Sequence, residues 1–289
     1  MSQVEGAAET LAHDVAKALE RAARAAGAVA REAFVSGATG VEHKQGFHDV
    51  VTAADREAER VATGALRARF PDARIVGEED GASGRGEIAF FIDPIDGTSN
   101  FASGLPFFCT SIGAFLGDAP IGGCVYDPMR DEMFLAENGA LSLNGVPVLP
   151  RVRGTRDRDV ELLTHAPHEG SRPDDVALSE FAAVVAAFRA VRRLGSCALH
   201  LAYVAVGRAA VSHELKFGPW DIAAGLQLVA AGGGQLAAWD AAGRRLAAPL
   251  RTIEAVARVV SAGPGFALES ASLPGLGRPI PAGFTTTRA

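Results

Sequence analysis

Apolar positions change period several times along the chain, and each change marks an expected element. Leu11, Val15, Leu19, Ala23, Ala26 and Ala30 recur near helical spacing, which predicts a long Ala-rich amphipathic helix over 9–35. A loop is expected over 36–46, carrying His43 and Lys44. Val50, Val51 and Thr52 read as a short strand end. Thr52 and Asp55 resemble a capping arrangement for a second helix over 53–69, stopped by Pro71. A short strand over 74–76 leads into Gly77, Glu78, Glu79 and Asp80, and the Gly/Ser-rich segment 80–87 reads as a mobile loop. Residues 88–92 form an unbroken apolar run, as in a buried strand, ending at Asp93. Further strands are expected over 109–115, 121–126 and 132–136, with turns at Gly117-Asp118, Asp127-Pro128 and Asn144-Gly145.

The second half alternates in type. Strands over 161–164, 191–194, 210–215 and 234–239 are interleaved with helices over 174–190, 197–206 and 221–231. Such alternation argues for an α/β protein with helices layered on sheets. No repeat or linker divides it, so one domain over 8–265 is expected, with halves 8–150 and 151–265 and an irregular Gly/Pro-rich tail over 266–289.

Composition narrows the class. Of 289 residues 48% are hydrophobic and 21% charged, which fits a globular chain with a sizeable core. The net charge is −6 and no Lys/Arg cluster offers a stripe for a phosphate backbone, so no nucleic-acid partner is expected. Cys109, Cys124 and Cys197 are scattered, giving neither a disulfide framework nor a zinc knuckle and implying a reducing compartment. The opening MSQVEGAAET lacks the pattern of a signal peptide. The uncharged stretches 97–117 and 222–239 are polar or glycine-broken, so no membrane partner is expected. A soluble, cytoplasmic protein is the expectation.

Candidate chemistry begins with Asp93-Pro94-Ile95-Asp96-Gly97-Thr98-Ser99-Asn100. Two carboxylates ending an apolar strand are unfavourable unless compensated, and hard divalent cations would compensate them. A helix starting at Gly97 and Thr98 would offer free amides to a phosphate. Glu78 and Glu79 form a second acidic pair after a strand, which alone also reads as a solvated loop. Asp221, in Pro219-Trp220-Asp221, sits before an apolar helix and is equally an N-cap. Glu214 on a strand reads alone as a surface charge. Asp55 either caps its helix or pairs with a hydroxyl elsewhere, such as that of Thr98.

Taken together and in order, V-T-x-x-D, G-E-E, D-P-I-D-G-T-x-N-F and W-D-x-A-A-G resemble the inositol monophosphatase family over about 10–262. Residues 193–198 resemble its R-x-x-G-S/T-A/C segment. Departures are small: Ser99, Leu194 and the stretched 139–145 turn, with Leu194 and Cys197 bearing on substrate shape. The resemblance implies alternating α-β-α-β-α layers, a homodimer and two or three Mg²⁺ ions per site. Glu78, Asp93 and the Ile95 carbonyl would hold one ion; Asp93, Asp96 and Asp221 a second; Glu78, with Glu79 close by, a third. Gly97 and Thr98 would bind phosphate together with Asp96. Gly195, Ser196, Cys197, Glu214 and Asp221 would line the alcohol side, and Lys44 matches a mobile-loop position.

The expected reaction is hydrolysis of a small polyol phosphate, inositol 1-phosphate foremost, by metal-activated water with no covalent intermediate. Glu78, Thr98 and Asp55 would activate that water. Fructose 1,6-bisphosphate, histidinol phosphate and 3′-phosphoadenosine 5′-phosphate are the alternative substrates, and a non-catalytic regulatory binding protein is the alternative class. Aspartyl-phosphate enzymes carry D-x-D-G-T, whereas Pro94 and Ile95 both separate the two acids here. His165, His168 and His200 are further candidates for substrate contact, with a packed His200 the ordinary alternative.

Overall fold

The computed structural model describes residues 3–37, 41–43, 50–151, 154–167, 175–268, 271–277 and 279. Helices α1 (Gln3–Ser36) and α2 (Ala53–Arg69) are joined through an antiparallel ribbon of β1 (Val41–His43) and β2 (Val50–Thr52). The next strands are β3 (Arg74–Gly77), β4 (Gly81–Ser83), β5 (Ile88–Asp96), β6 (Cys109–Leu116), β7 (Ala119–Asp127), β8 (Glu132–Glu137), β9 (Ala140–Leu143) and β10 (Val146–Pro147). They form one sheet in the order β10-β9-β8-β7-β6-β5-β3-β4. A short helix, α3 (Thr98–Ala102), follows β5.

The second half adds β11 (Glu161–Thr164), α4 (Asp175–Ala187), β12 (Ala190–Arg192), α5 (Cys197–Ala205), β13 (Val211–Leu215), α6 (Pro219–Ala231), β14 (Gln235–Trp239), β15 (Arg245–Leu246) and β16 (Arg258–Ala262). Its strands form a second sheet, β12-β11-β13-β16-β14-β15.

Strand alternation sorts the core into layers. On β5, Phe90 and Ile92 face one side and pack with Val15, Leu19, Ala58 and Leu66 of α1 and α2. Ala89 and Phe91 face the other side and join a cluster with Leu201 and Val204 of α5, Leu226 and Val229 of α6, and Leu163 and Val259 of the second sheet. The outer face of the second sheet, through Leu162, Val211 and Val260, packs with Val184 of α4 and with Phe266, Leu268 and Leu273. The order is therefore α1/α2, sheet, α5/α6, sheet, α4: the five alternating layers expected. Among the described residues no helix is long and apolar enough to cross a membrane.

Several expected boundaries move. Helix α1 begins at Gln3, ahead of the periodic apolar residues. The expected mobile loop 80–87 contains β4, whose backbone pairs with β3 (Ile75↔Ser83, Val76↔Ala82). Strand β5 runs on past Asp93 to Asp96. Helix α4 stops at Ala187 and β12 starts at Ala190, earlier than expected. Strand β1 lies within the expected loop 36–46. Strands β9, β10, β15 and β16 answer to no sequence expectation: β9, β10 and β15 are short and defined by hairpin pairing with the strand just before each, whereas β16 is placed between β13 and β14.

Candidate active site

Asp93 and Asp96 lie three residues apart, a spacing that in a regular strand points side chains to opposite faces. The β5–β6 register breaks between them: Asp93 pairs with Ser111 and Asp96 with Cys109, so Pro94 and Ile95 oppose Thr110 alone. One extra residue in a strand restores a common side, which is how this irregularity aims both acids the same way. Pro94 lacks an N–H, and its carbonyl accepts from Thr110 Oγ1 at 2.9 Å. The Ile95 amide donates to Asp93 Oδ1 at 3.0 Å.

Asp221 arrives from across the layer. It is the third residue of α6, behind Pro219, and its Oδ2 accepts from the Gly218 amide. Asp221 thus lies inside the first helical turn rather than before it, where the helix dipole also favours a carboxylate. The carboxylate oxygens offered by Asp93, Asp96 and Asp221 lie within 4.8 Å of one another. Burial raises Asp93 well above the usual carboxylate range, reinforced by the charges of Glu78, Asp221 and Asp96. Asp221 is pushed up to about 7 by burial and by Asp96. Repelling oxygens gathered at one enclosed point are the donor set a hard divalent cation takes, so the residues fit Mg²⁺.

Asp96 is anchored at the start of α5. Its Oδ2 accepts from the Ala198 amide at 2.7 Å and from the Ser196 hydroxyl, and its Oδ1 from the Cys197 amide at 3.2 Å. The Cys109 thiol also points at Oδ2, at 3.8 Å. Burial raises Asp96, and these donors oppose the rise. Ser196 in turn caps α5, accepting from the Leu199 amide at 3.3 Å. Ser196 and Cys197, assigned from sequence to the alcohol side, are thereby brought against the acidic cluster.

Thr98 opens α3, directly after Gly97. Its hydroxyl is 3.1 Å from the Ile95 carbonyl and 3.3 Å from Asp55 Oδ1, so the tie between Asp55 and Thr98 is present. Asp55 is fully buried on α2. Glu59, four residues on, shares that face and is also buried. Sequence reasoning missed Glu59; the signal was a second acid in the Ala54, Ala58, Ala62 stripe. Its carboxylate accepts from the Glu79 amide at 2.8 Å and the Asp80 amide at 2.9 Å, fixing the loop that carries Glu78 and Glu79. The Glu78 amide donates to the Ile92 carbonyl at 3.1 Å, which keeps Glu78 beside β5. Cys109 was likewise missed, having been read only for its lack of pairing.

Glu214 is no surface charge. It is fully buried on β13, 2.8 Å from His200 Nδ1 and 3.3 Å from His165 Nδ1. Burial pushes Glu214 up to about 8 and His200 down to about 4. Asn100 Nδ2 donates to the Leu194 and Phe107 carbonyls, both at 2.7 Å, tying the turn after β5 to the segment before α5. Lys44, His168 and the Thr52 side chain lie outside the described residues.

Fold and site together define a five-layered α/β protein with a buried carboxylate cluster where its first sheet meets α5 and α6. The family model described as "Inositol monophosphatase family" matches residues 11–265. Inositol monophosphatase 3 of Solanum lycopersicum is 37% identical over 243 residues, covering 78% of this chain and 88% of that one. A Nus factor SuhB of Xylella fastidiosa is 38% identical over 188 residues, covering 64% and 68%. The solved inositol monophosphatase from Anabaena superposes with a TM-score of 0.72 at 30% identity, covering 89% and 93%. This chain belongs to the inositol monophosphatase family.

Proposed function

We propose that the protein is a Mg²⁺-dependent phosphomonoester hydrolase acting on a small polyol phosphate, with inositol 1-phosphate the first candidate. The convergence of Asp93, Asp96 and Asp221 at one buried point, directly before the start of α3, supports this reading most strongly. Glu78, Asp93 and the Ile95 carbonyl would hold one ion, Asp93, Asp96 and Asp221 a second, and Glu78 with Glu79 a third. Bound there, magnesium would neutralise phosphate charge and acidify a water.

The chain's own residues supply the rest. Gly97 and Thr98 present backbone amides to the phosphate, as a helix start does. Glu78 takes the proton from the attacking water, and Thr98, held by Asp55, orients it. Water attacks phosphorus as the ester P–O bond breaks, and the leaving alkoxide takes a proton from a water held by Asp221, which the proton on Glu78 replaces through solvent. Gly195, Ser196, Cys197 and Glu214 line the alcohol side. Asp96 links the two sides, because its carboxylate is held by the first amides of α5.

A regulatory binding role is the second reading, favoured by the relative named Nus factor SuhB. Phosphate release separates the two. The purified chain is assayed on inositol 1-phosphate, fructose 1,6-bisphosphate, histidinol phosphate and 3′-phosphoadenosine 5′-phosphate, with and without Mg²⁺ and with added Li⁺. Mg²⁺-dependent release from a polyol phosphate is expected. No release from any of the four by folded, Mg²⁺-loaded protein would favour the regulatory reading. Size-exclusion chromatography tests the expected homodimer.

A further inference from the structure

Three small polar side chains open the otherwise apolar strand β6, and Cys109, Thr110 and Ser111 are all buried. Each meets a part of the chain that carries an acid of the cluster. The Cys109 thiol points at Asp96 Oδ2 at 3.8 Å. The Ser111 hydroxyl donates at 3.2 Å to the carbonyl of Trp220, the residue before Asp221. The Thr110 hydroxyl donates at 2.9 Å to the Pro94 carbonyl, between Asp93 and Asp96. Strand alternation puts Thr110 on the face opposite to Cys109 and Ser111.

Thr110 sits where the register breaks. Asp93 pairs with Ser111 and Asp96 with Cys109, so Thr110 alone opposes Pro94 and Ile95. A bulge takes ladder groups from their regular partners, and a buried carbonyl left without a donor is costly. The Pro94 carbonyl obtains its donor from the Thr110 side chain. The Ile95 amide donates to Asp93 Oδ1, and the Ile95 carbonyl accepts from the Thr98 hydroxyl at 3.1 Å. Side chains thus meet the backbone groups of both bulge residues. Without the bulge, Asp93 and Asp96 would face opposite sides of the strand.

We propose that Thr110 is a positioning residue for the carboxylate cluster: its hydroxyl holds the bulge in the register that turns Asp93 and Asp96 to one side. The inference rests on the magnesium reading of that cluster and extends it to a residue outside the proposed ligand set. Ser111 ties the same strand to the start of α6, so β6 carries both the bulge and the approach of Asp221. Valine at 110 keeps the β-branched shape a strand favours but cannot donate. The Pro94 carbonyl then loses its donor, the bulge relaxes, and the two carboxylates lose their common aim. Ion affinity should therefore change, and not stability alone.

The test uses the full chain, freed of metal with chelator, and reads Mn²⁺ binding by electron paramagnetic resonance, Mn²⁺ standing in for magnesium as a cation that oxygen ligands suit. Thr110→Val and Thr110→Ala should each weaken binding more than about tenfold. The Mg²⁺ concentration for half-maximal phosphate release should rise by the same factor. Thr110→Ser keeps the donor and should bind nearly as tightly as wild type. Thr164→Val is the comparison for a purely structural loss, because the buried Thr164 hydroxyl also donates to a backbone carbonyl, that of His213, at 2.7 Å. It should leave Mn²⁺ affinity unchanged. Wild-type affinity in the hydroxyl-free variants at 110, or an equal loss in Thr110→Ser or Thr164→Val, would overturn the proposal. A wild-type chain that binds Mn²⁺ and releases no phosphate would count against the phosphatase reading alone. One that binds no Mn²⁺ would overturn the magnesium reading and this proposal with it.

Discussion

The carboxylate of Glu59 occupies the space into which Gly77 would project a side chain. A Cβ on Gly77 would stand 2.0 Å from Glu59 Oε1, so the strand end before Glu78 can lie over the acid only because residue 77 is glycine. Glu59 in turn pairs the Glu79 and Asp80 amides. Glu59→Ala leaves both amides without their partner and should cost about 3 kcal/mol. Urea unfolding measures that loss. Phosphate release should fall with it, because Glu78 loses its fixed loop.

Gly195 faces a similar constraint for a second reason. Its φ is +80°, and a Cβ there would meet Asn100 Nδ2 at 2.7 Å. Gly195→Ala should therefore cost about 2 kcal/mol or more. The clash displaces the amide that ties Leu194 to Phe107, so Asn100→Ala should partly relieve it. A double-mutant cycle by thermal melting shows whether the two effects couple.

Asp93 and Asp96 should respond differently to loss of charge. In Asp93→Asn the amide oxygen can still accept from Ile95, and one of four neighbouring negative charges disappears. The metal-free variant should be more stable than wild type by about 1 kcal/mol, while phosphate release is abolished. In Asp96→Asn one oxygen becomes a donor facing the donors of α5, so that variant should lose both activity and stability. Melting curves in chelator, beside activity in Mg²⁺, distinguish the two.

Thr98→Val removes a hydroxyl from Asp55 and the Ile95 carbonyl while keeping the shape. Activity should drop about 100-fold. Thr98→Ser should restore most of it.

His213 sets an acid limit on stability. Burial holds it down at about 3 in the folded chain, with the Arg258 charge adding to the effect. The unfolded chain takes up the proton near pH 6.5, so stability from this group is complete above that pH and falls as pH drops toward 3. The slope contributed is about 1.4 kcal/mol per pH unit between pH 6 and 4. His213→Phe should flatten the measured dependence by that amount. An unchanged slope would show that other groups govern acid unfolding.

The sequence by itself determined the residue types and their local settings. Alternation of apolar runs located most helices and strands, since burying one face imposes a period. The D-P-I-D-G-T segment announced carboxylates at a strand end because acids there break an apolar run. The sequence did not reveal that a register break between Asp93 and Asp96 turns both acids to one side, since pairing with β6 creates it. Nor did it reveal the burial of Glu214 between His165 and His200, or Glu59 beneath Gly77. Those depend on residues from about a dozen to about fifty positions apart being packed together, and only tertiary structure decides which polar groups lose water and which neighbours replace it.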